Sequence, residues 1–222
     1  MAFCPQPPLL LPAVAGTPSV ELGELRAAVS AAVQTLLEEG PEVVVVVGHG
    51  ADGERFGPGD AGDLRGLGVD LELPFAGWAR PGGRRTPVAH AIGAWLLDQA
   101  GHTGSRLGVG PDDLRTALSD VPGPVGVLAM GDGSARRSEQ APGYLDPAAG
   151  PFDAAVAAAL AAGDPAALAA LDPAEGERLL AAGVPVWRAV GAALDGLAIE
   201  ARLLYDEAPF GVGYPVATWR AR

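Results

Sequence analysis

The chain has 222 residues and a formal net charge of −12, with 15 Lys and Arg against 27 Asp and Glu. A hydrophobic fraction of 49% with 19% charged residues indicates a globular chain and excludes a disordered one. An acidic surface repels phosphate backbones, so we expect no nucleic-acid partner. No apolar run reaches the roughly 18 residues that cross a bilayer. Because the single cysteine, Cys4, cannot form an internal disulfide, we predict a cytoplasmic protein without a membrane partner.

Hydrophobic spacing predicts strands and helices in alternation along the N-terminal half. The predicted elements, in chain order, are a strand at 1–4, a helix from the Thr17-Pro18 cap to residue 39, a buried strand at 42–48, a weaker strand at 69–73 and a helix at 87–99. Residues 50–66 and 77–86 are predicted to be loops. Five consecutive valines at 43–47 leave no polar face, which is typical of a central strand covered by helices on both sides.

The C-terminal half continues the pattern and ends with two strands. The predicted elements are a strand at 107–109, a short helix from Pro111, a strand at 125–130, helices that start at Asp164-Pro165 and Asp172-Pro173, a helix at 186–194, and strands at 199–205 and 212–218. The chain contains no repeat and no dividing linker. We therefore predict one domain over residues 1–222, an α/β fold with three α/β/α layers around a mostly parallel or mixed sheet.

Polar side chains follow several of these strands. Gln6 follows the first strand, His49 the valine strand, Asp132 the strand at 125–130, and Glu207 the strand at 199–205. Ligands of open α/β sheets bind beyond the carboxyl ends of the strands, so these groups are candidates for one site. The plain alternative is that loops after strands are polar in any protein, with His49 bonding a neighbouring loop, Asp132 capping a turn and Glu207 lying on the surface.

Four segments in order resemble the LigB-like superfamily, which contains the class III extradiol ring-cleavage dioxygenases and the Memo-type proteins. Residues 3–12 (FCPQPPLLLP) resemble the family's Pro-His-Pro-Pro-Leu-Leu-x-Pro opening, and residues 43–50 its valine-rich strand ending in histidine. Residues 131–136 (GDGSAR) with 141–144 (APGY) and 152–153, and residues 205–214 (YDEAPFGVGY), are similar to its two later motifs. The resemblance implies a LigB-like fold over nearly the whole chain.

The resemblance also implies a metal site, which this sequence matches incompletely. Extradiol enzymes hold Fe(II) with two histidines and one carboxylate, which leaves positions for a catecholate and dioxygen. By resemblance, these ligands fall on Gln6, His49 and Glu207, the last with Asp206 as an alternative. The family's acid/base histidine falls on Ala135. A neutral glutamine oxygen binds Fe(II) more weakly than imidazole, so we expect Fe(II) or another divalent metal to bind weakly or not at all.

Three functional hypotheses follow. The first is a divergent extradiol-type metalloenzyme acting on an aromatic or small oxygenated compound, with His90, Asp132 and Ser134 as candidate catalytic residues. The second is a non-catalytic small-molecule-binding or protein-interaction module that kept the dioxygenase fold. The third is different chemistry carried out by Gln6, Asp132 and Ser134. A small aromatic ligand is the expected partner, and the resemblance implies a homodimer.

Overall fold

A computed structural model describes residues 1–15, 20–51 and 53–222. Its strands are β1 (Ala2–Cys4), β2 (Val43–Val47), β3 (Ala61–Asp63), β4 (Glu72–Pro74), β5 (Ser105–Val109), β6 (Val125–Met130), β7 (Ile199–Glu207) and β8 (Tyr214–Ala221). Its α-helices are α1 (Pro12–Ala15), α2 (Val20–Glu38), α3 (Val88–Gln99), α4 (Leu114–Asp120), α5 (Ala149–Ala162), α6 (Pro165–Ala169), α7 (Pro173–Arg178) and α8 (Val184–Ala193). Short 3₁₀ turns lie at Pro8–Leu10, Arg65–Leu67 and Pro111–Asp113.

Six strands form one mixed sheet in the order β5-β2-β6-β1-β8-β7. Strands β5, β2, β6 and β1 are mutually parallel, whereas β8 runs antiparallel to both β1 and β7. The valine strand β2 lies between β5 and β6, as its apolar sequence predicts. The predicted α/β fold with a mixed central sheet and flanking helices is therefore confirmed.

The two faces of the sheet pack against separate sets of helices. On the first face, Val44 and Val46 pack with side chains of α2, α3 and the small β3–β4 hairpin. On the second face, Val45 and Val47 pack with side chains of α4, α5, α6 and α8. Because successive side chains of a strand point to opposite faces, the valine run serves both cores. The result is three layers, with the helices outside and the sheet between them.

The cap signals of the C-terminal half are confirmed in atomic detail. The side chain of Asp164 accepts a hydrogen bond from the Ala167 amide at 3.0 Å, at the start of α6. The side chain of Asp172 accepts one from the Ala174 amide at 2.9 Å, at the start of α7. The predicted cap at Thr17-Pro18 lies outside the described residues.

The sequence prediction differs from the structure between residues 50 and 75. The predicted strand at 69–73 is shorter and shifted to β4, and it pairs with β3, which was predicted to be loop. The signal for β3 is weak because its central residue is Gly62. A methyl group at this glycine would lie 2.6 Å from the Cβ atom of Ala91, so close packing of the hairpin on α3 requires glycine there.

Among the described residues, no helix is both long enough and apolar enough to cross a membrane.

Candidate functional site

The carboxyl ends of β1, β2, β5 and β6 lie at one edge of the sheet because these strands are parallel. The chain leaves β1 and β2 toward the first face and leaves β5 and β6 toward the second face. These two directions alternate along the order β5-β2-β6-β1, so crevices open between neighbouring strand ends. Such points of reversal are the usual ligand sites of open α/β sheets.

A groove of about 890 Å³ opens beside the ends of β2 and β5, on the second face. We call it the His49 groove. His49, which follows β2, and Pro111 and Asp112, which follow β5, form one side. The opposite side comes from α7, α8 and the turn between them, with Leu180, Ala181 and Ala182. His49 is exposed and lines this groove.

One face of α8 supplies the long wall of the His49 groove. Val184, Pro185, Arg188, Ala189 and Ala192 recur at three- and four-residue intervals, which places them on one side of the helix. The small side chains leave room for a ligand, and most of the wall is apolar.

Two arginines of the His49 groove join its walls to neighbouring helices. The Arg188 guanidinium donates to the carbonyl oxygen of Leu171, between α6 and α7. The Arg115 guanidinium, on α4, donates to the carbonyl oxygen of Ala192 at 2.8 Å. Each bond connects one arginine side chain to the backbone of a neighbouring segment.

Leu180, at the end of α7, has an unusual backbone conformation. Its φ angle of 56° lies in the left-handed region, which costs an L-residue with a side chain roughly 1–2 kcal/mol. Its side chain is 46% exposed and lines the His49 groove. Residues held in such conformations cluster at ligand sites, which supports a role for this segment beyond packing.

Gln6 and Asp132 meet in the crevice between β1 and β6. The Gln6 backbone amide donates to Asp132 Oδ1 at 2.7 Å. Burial raises the pKa of Asp132 to about 7, although the bond from Gln6 acts in the opposite direction. The buried side-chain oxygen of Gln6 has no hydrogen-bond partner among the described residues. Tyr214 lies near Asp132, and burial together with that carboxylate raises the pKa of its hydroxyl.

Ser134, a predicted catalytic residue, is fully buried and fully engaged in the loop after β6. Its hydroxyl donates to the Leu179 carbonyl at 2.8 Å and accepts from the Arg136 amide at 3.1 Å. Its own amide donates to Asp153 Oδ1 at 2.8 Å. In this placement the hydroxyl ties the loop to the end of α7 and has no exposed surface, so the geometry adds no support to the catalytic role predicted for Ser134.

The carboxylate of Asp153 is a second centre of this loop. It accepts a bond from Arg137 at 2.8 Å in addition to the one from Ser134. Burial raises the pKa of Asp153, whereas the bonds from Ser134 and Arg137 lower it. The charge of Arg137 is therefore paired with a protein carboxylate.

His90, another predicted catalytic residue, is also fully buried. Its ring packs against Phe56 at a centroid distance of 5.2 Å, and Nε2 lies 2.9 Å from the Val109 carbonyl oxygen. Burial lowers the pKa of His90 to about 4, so the ring is neutral at physiological pH. A ring without exposed surface cannot touch a ligand in this conformation, so the catalytic role predicted for His90 gains no support from the geometry.

The strand order separates the three predicted metal ligands. Four strand intervals lie between His49 after β2 and Glu207 in β7, or roughly 19 Å at about 4.8 Å each. Glu207 pairs with Tyr214 across the strands and is exposed, on the first face. His49 lines the groove on the second face. The sheet therefore brings Gln6 to Asp132 but does not bring Gln6, His49 and Glu207 to one point.

The alternative carboxylate, Asp206, is directed elsewhere. It interacts electrostatically with Arg137 and Asp153, and burial raises its pKa. The described residues contain no group of three or more His, Cys, Asp or Glu side chains that could hold a metal ion. Glutamine offers a single neutral oxygen at the position of an expected imidazole. The residues present consequently do not fit the Fe(II) site that the family resemblance implies.

Sequence reasoning missed the wall of the His49 groove. The helices α7 and α8 were predicted, but their sequences carry no signal for what they face. One available signal was Arg188, a charged residue on the otherwise apolar start of α8. No protein-family model matches this sequence, and comparison with curated proteins gives no significant match either.

Proposed function

We propose that this protein is a divergent LigB-like protein that binds a small aromatic or otherwise apolar molecule in the His49 groove. In this proposal the class III extradiol dioxygenase fold is kept and ring cleavage is low or absent. The observation that carries the proposal is the groove itself, an apolar cavity beyond the carboxyl ends of β2 and β5.

The size and composition of the groove support binding of a small organic ligand. Its volume of about 890 Å³ falls within the roughly 300–1,000 Å³ typical of small-molecule pockets. An apolar wall with a few polar groups is also typical of such pockets, because burial of apolar surface provides affinity and the polar groups orient the ligand. The left-handed Leu180 lies in this wall.

The metal chemistry of the family finds less support. Ring cleavage requires Fe(II) with open positions and a group that moves a proton. The predicted ligands are separated by the strand order, the acid/base position holds Ala135, and His90 and Ser134 are buried. Binding without cleavage is therefore the better supported of the first two hypotheses.

The binding proposal is tested with the fluorescent probe 1-anilinonaphthalene-8-sulfonate, which brightens in apolar sites. The variant Ala192→Trp fills the groove from an exposed position on α8, and Ala158→Trp makes the same change on the exposed side of α5. We expect saturable binding near one probe per chain, lost in Ala192→Trp and kept in Ala158→Trp. Equal binding by both variants would place the probe elsewhere and refute the proposal.

A second candidate, weak metal-dependent activity near Gln6, is favoured by one observation. The buried oxygen of Gln6 lacks a described partner and lies at a crevice that also holds Asp132. The test is metal analysis of protein purified anaerobically with Fe(II), with Asp132→Asn and the double variant Gln6→His, Ala135→His for comparison. One iron per chain that depends on Asp132 would favour the enzyme. Absence of metal from the wild-type protein and from both variants would rule out this second candidate and leave binding as the remaining proposal.

A further inference from the structure

We propose that the ligand of the His49 groove is an organic anion, a carboxylate with an apolar body, and that Arg188 binds its carboxylate. This inference rests on the proposed function and adds the chemical class of the ligand. It also makes Arg188 the residue that determines specificity for charge.

Arg188 differs from the other charged groups of the groove in its burial. It is half-buried on α8, whereas Asp112, Arg115 and Glu177 are exposed. Interactions between exposed charges are weakened by water and salt, whereas a partly buried charge is screened less. The exposed carboxylates of Asp112 and Glu177 are therefore screened more than the half-buried Arg188 guanidinium.

The hydrogen-bonding capacity of Arg188 is largely unused. A guanidinium has five N–H donors, and the bond to the Leu171 carbonyl uses one nitrogen, Nη1. Among the residues that the structure describes, no carboxylate forms an ion pair with Arg188. By contrast, the nearby arginine Arg178 pairs with Asp146 and Glu175. A planar carboxylate matches the fork of a guanidinium and would satisfy the remaining donors.

The helix that carries Arg188 adds to the attraction. The groove includes Val184 and Pro185, the first two residues of the ten-residue helix α8, and Arg188 follows one turn later. The N-terminus of a helix carries partial positive charge and favours anions within the first turn. The apolar body of the ligand would lie along Ala189 and Ala192, farther down the same face. The charged and apolar parts of the groove thus follow one another along α8.

The test compares two probes of nearly equal shape, 2-naphthoate and the neutral 2-naphthalenemethanol, by isothermal titration calorimetry. Wild-type protein should bind 2-naphthoate about tenfold or more tightly than the alcohol, because hydrogen bonds to charged groups are worth more than neutral ones. Arg188→Met keeps the stem length but removes the charge. It should weaken 2-naphthoate binding about tenfold to hundredfold and leave the alcohol unchanged. Arg188→Lys should fall between, since it keeps the charge without the fork.

The matched control is Arg202→Met, which removes an exposed guanidinium from β7, outside the groove. It should leave both affinities unchanged, and thermal melts check that each variant folds. Equal binding of the two probes, or equal loss of both in Arg188→Met, would overturn the anion assignment. If both probes bind equally and Ala192→Trp abolishes both, the proposed function stands and only this inference fails. If neither probe binds wild-type protein, both fail.

Discussion

Substitution of Ser134 by alanine tests whether this residue has a catalytic role or a structural one. The change removes the bond to the Leu179 carbonyl and the bond from the Arg136 amide. In the variant the Leu179 oxygen still accepts a hydrogen bond from the Ala135 amide at 3.2 Å, so it keeps one of its two partners. The Arg136 amide is left without the bond that Ser134 accepted. At about 0.5–1.5 kcal/mol for each bond, with a further cost for the unpaired amide, we expect the free energy of unfolding to fall by about 2 kcal/mol.

Urea denaturation followed by circular dichroism measures this change, and the melting temperature should fall by about 4–8 °C for a chain of this size. Ser119→Ala is the matched control, because its exposed hydroxyl bonds to the Arg115 carbonyl within α4. It should change stability by less than about 0.5 kcal/mol. Affinity for 2-naphthoate should not change in Ser134→Ala. A stable variant with altered binding would contradict the structural role of Ser134.

Three further changes test other parts of the structure. Gly131→Ala would put its methyl group 2.4 Å from the Gly183 Cα atom. Because this neighbour is a backbone atom and cannot rotate away, we expect the free energy of unfolding measured in urea to fall by about 3 kcal/mol or more. Asp132→Asn tests the raised pKa. In wild-type protein the neutral Asp132 carboxyl contributes its full stability below pH 4, and this contribution is lost as the pH rises through about 7. Asparagine does not ionise, so the stability of the variant relative to wild type should rise between pH 4 and pH 8. Leu180→Gly should relieve the left-handed backbone, adding about 1 kcal/mol of stability while weakening 2-naphthoate binding severalfold.

Each of these has a control or a contrary outcome. Gly23→Ala in α2 has no atom within 4 Å of the added methyl group and should stabilise the protein by about 0.5–1 kcal/mol. A parallel pH dependence of stability in Asp132→Asn and wild type would mean that Asp132 is ionised throughout. Reduced stability with unchanged affinity in Leu180→Gly would show that this residue serves packing alone.

The sequence predicts elements that have a strong local pattern. The valine run at 43–47 and the apolar run at 125–130 appear as β2 and β6 because neither has a polar face. The aspartate caps at Asp164 and Asp172 are local hydrogen bonds and were also predicted correctly. The hairpin strand β3 was missed because three residues centred on Gly62 carry no hydrophobic alternation.

The candidate site was predictable only in part. The position of His49 beside a cavity follows from its place after a buried strand. The order of the strands does not follow from any local pattern, and this order separates His49 from Glu207. The roles of Ser134 and His90 depend on partners 45 and 19 residues away, Leu179 and Val109, which no spacing rule identifies.

The position of β1 inside the sheet has a consequence for how the chain folds during synthesis. Ala2 pairs with Leu128 on one side and with Thr218 on the other, so β1 cannot pair until residues more than a hundred positions later have been synthesised. Contacts of such wide separation slow folding, and unpaired strand edges promote aggregation. While only residues 1–120 have been synthesised, this apolar strand therefore has neither of its neighbouring strands. We expect chaperones to bind the nascent chain mainly during this stage of synthesis.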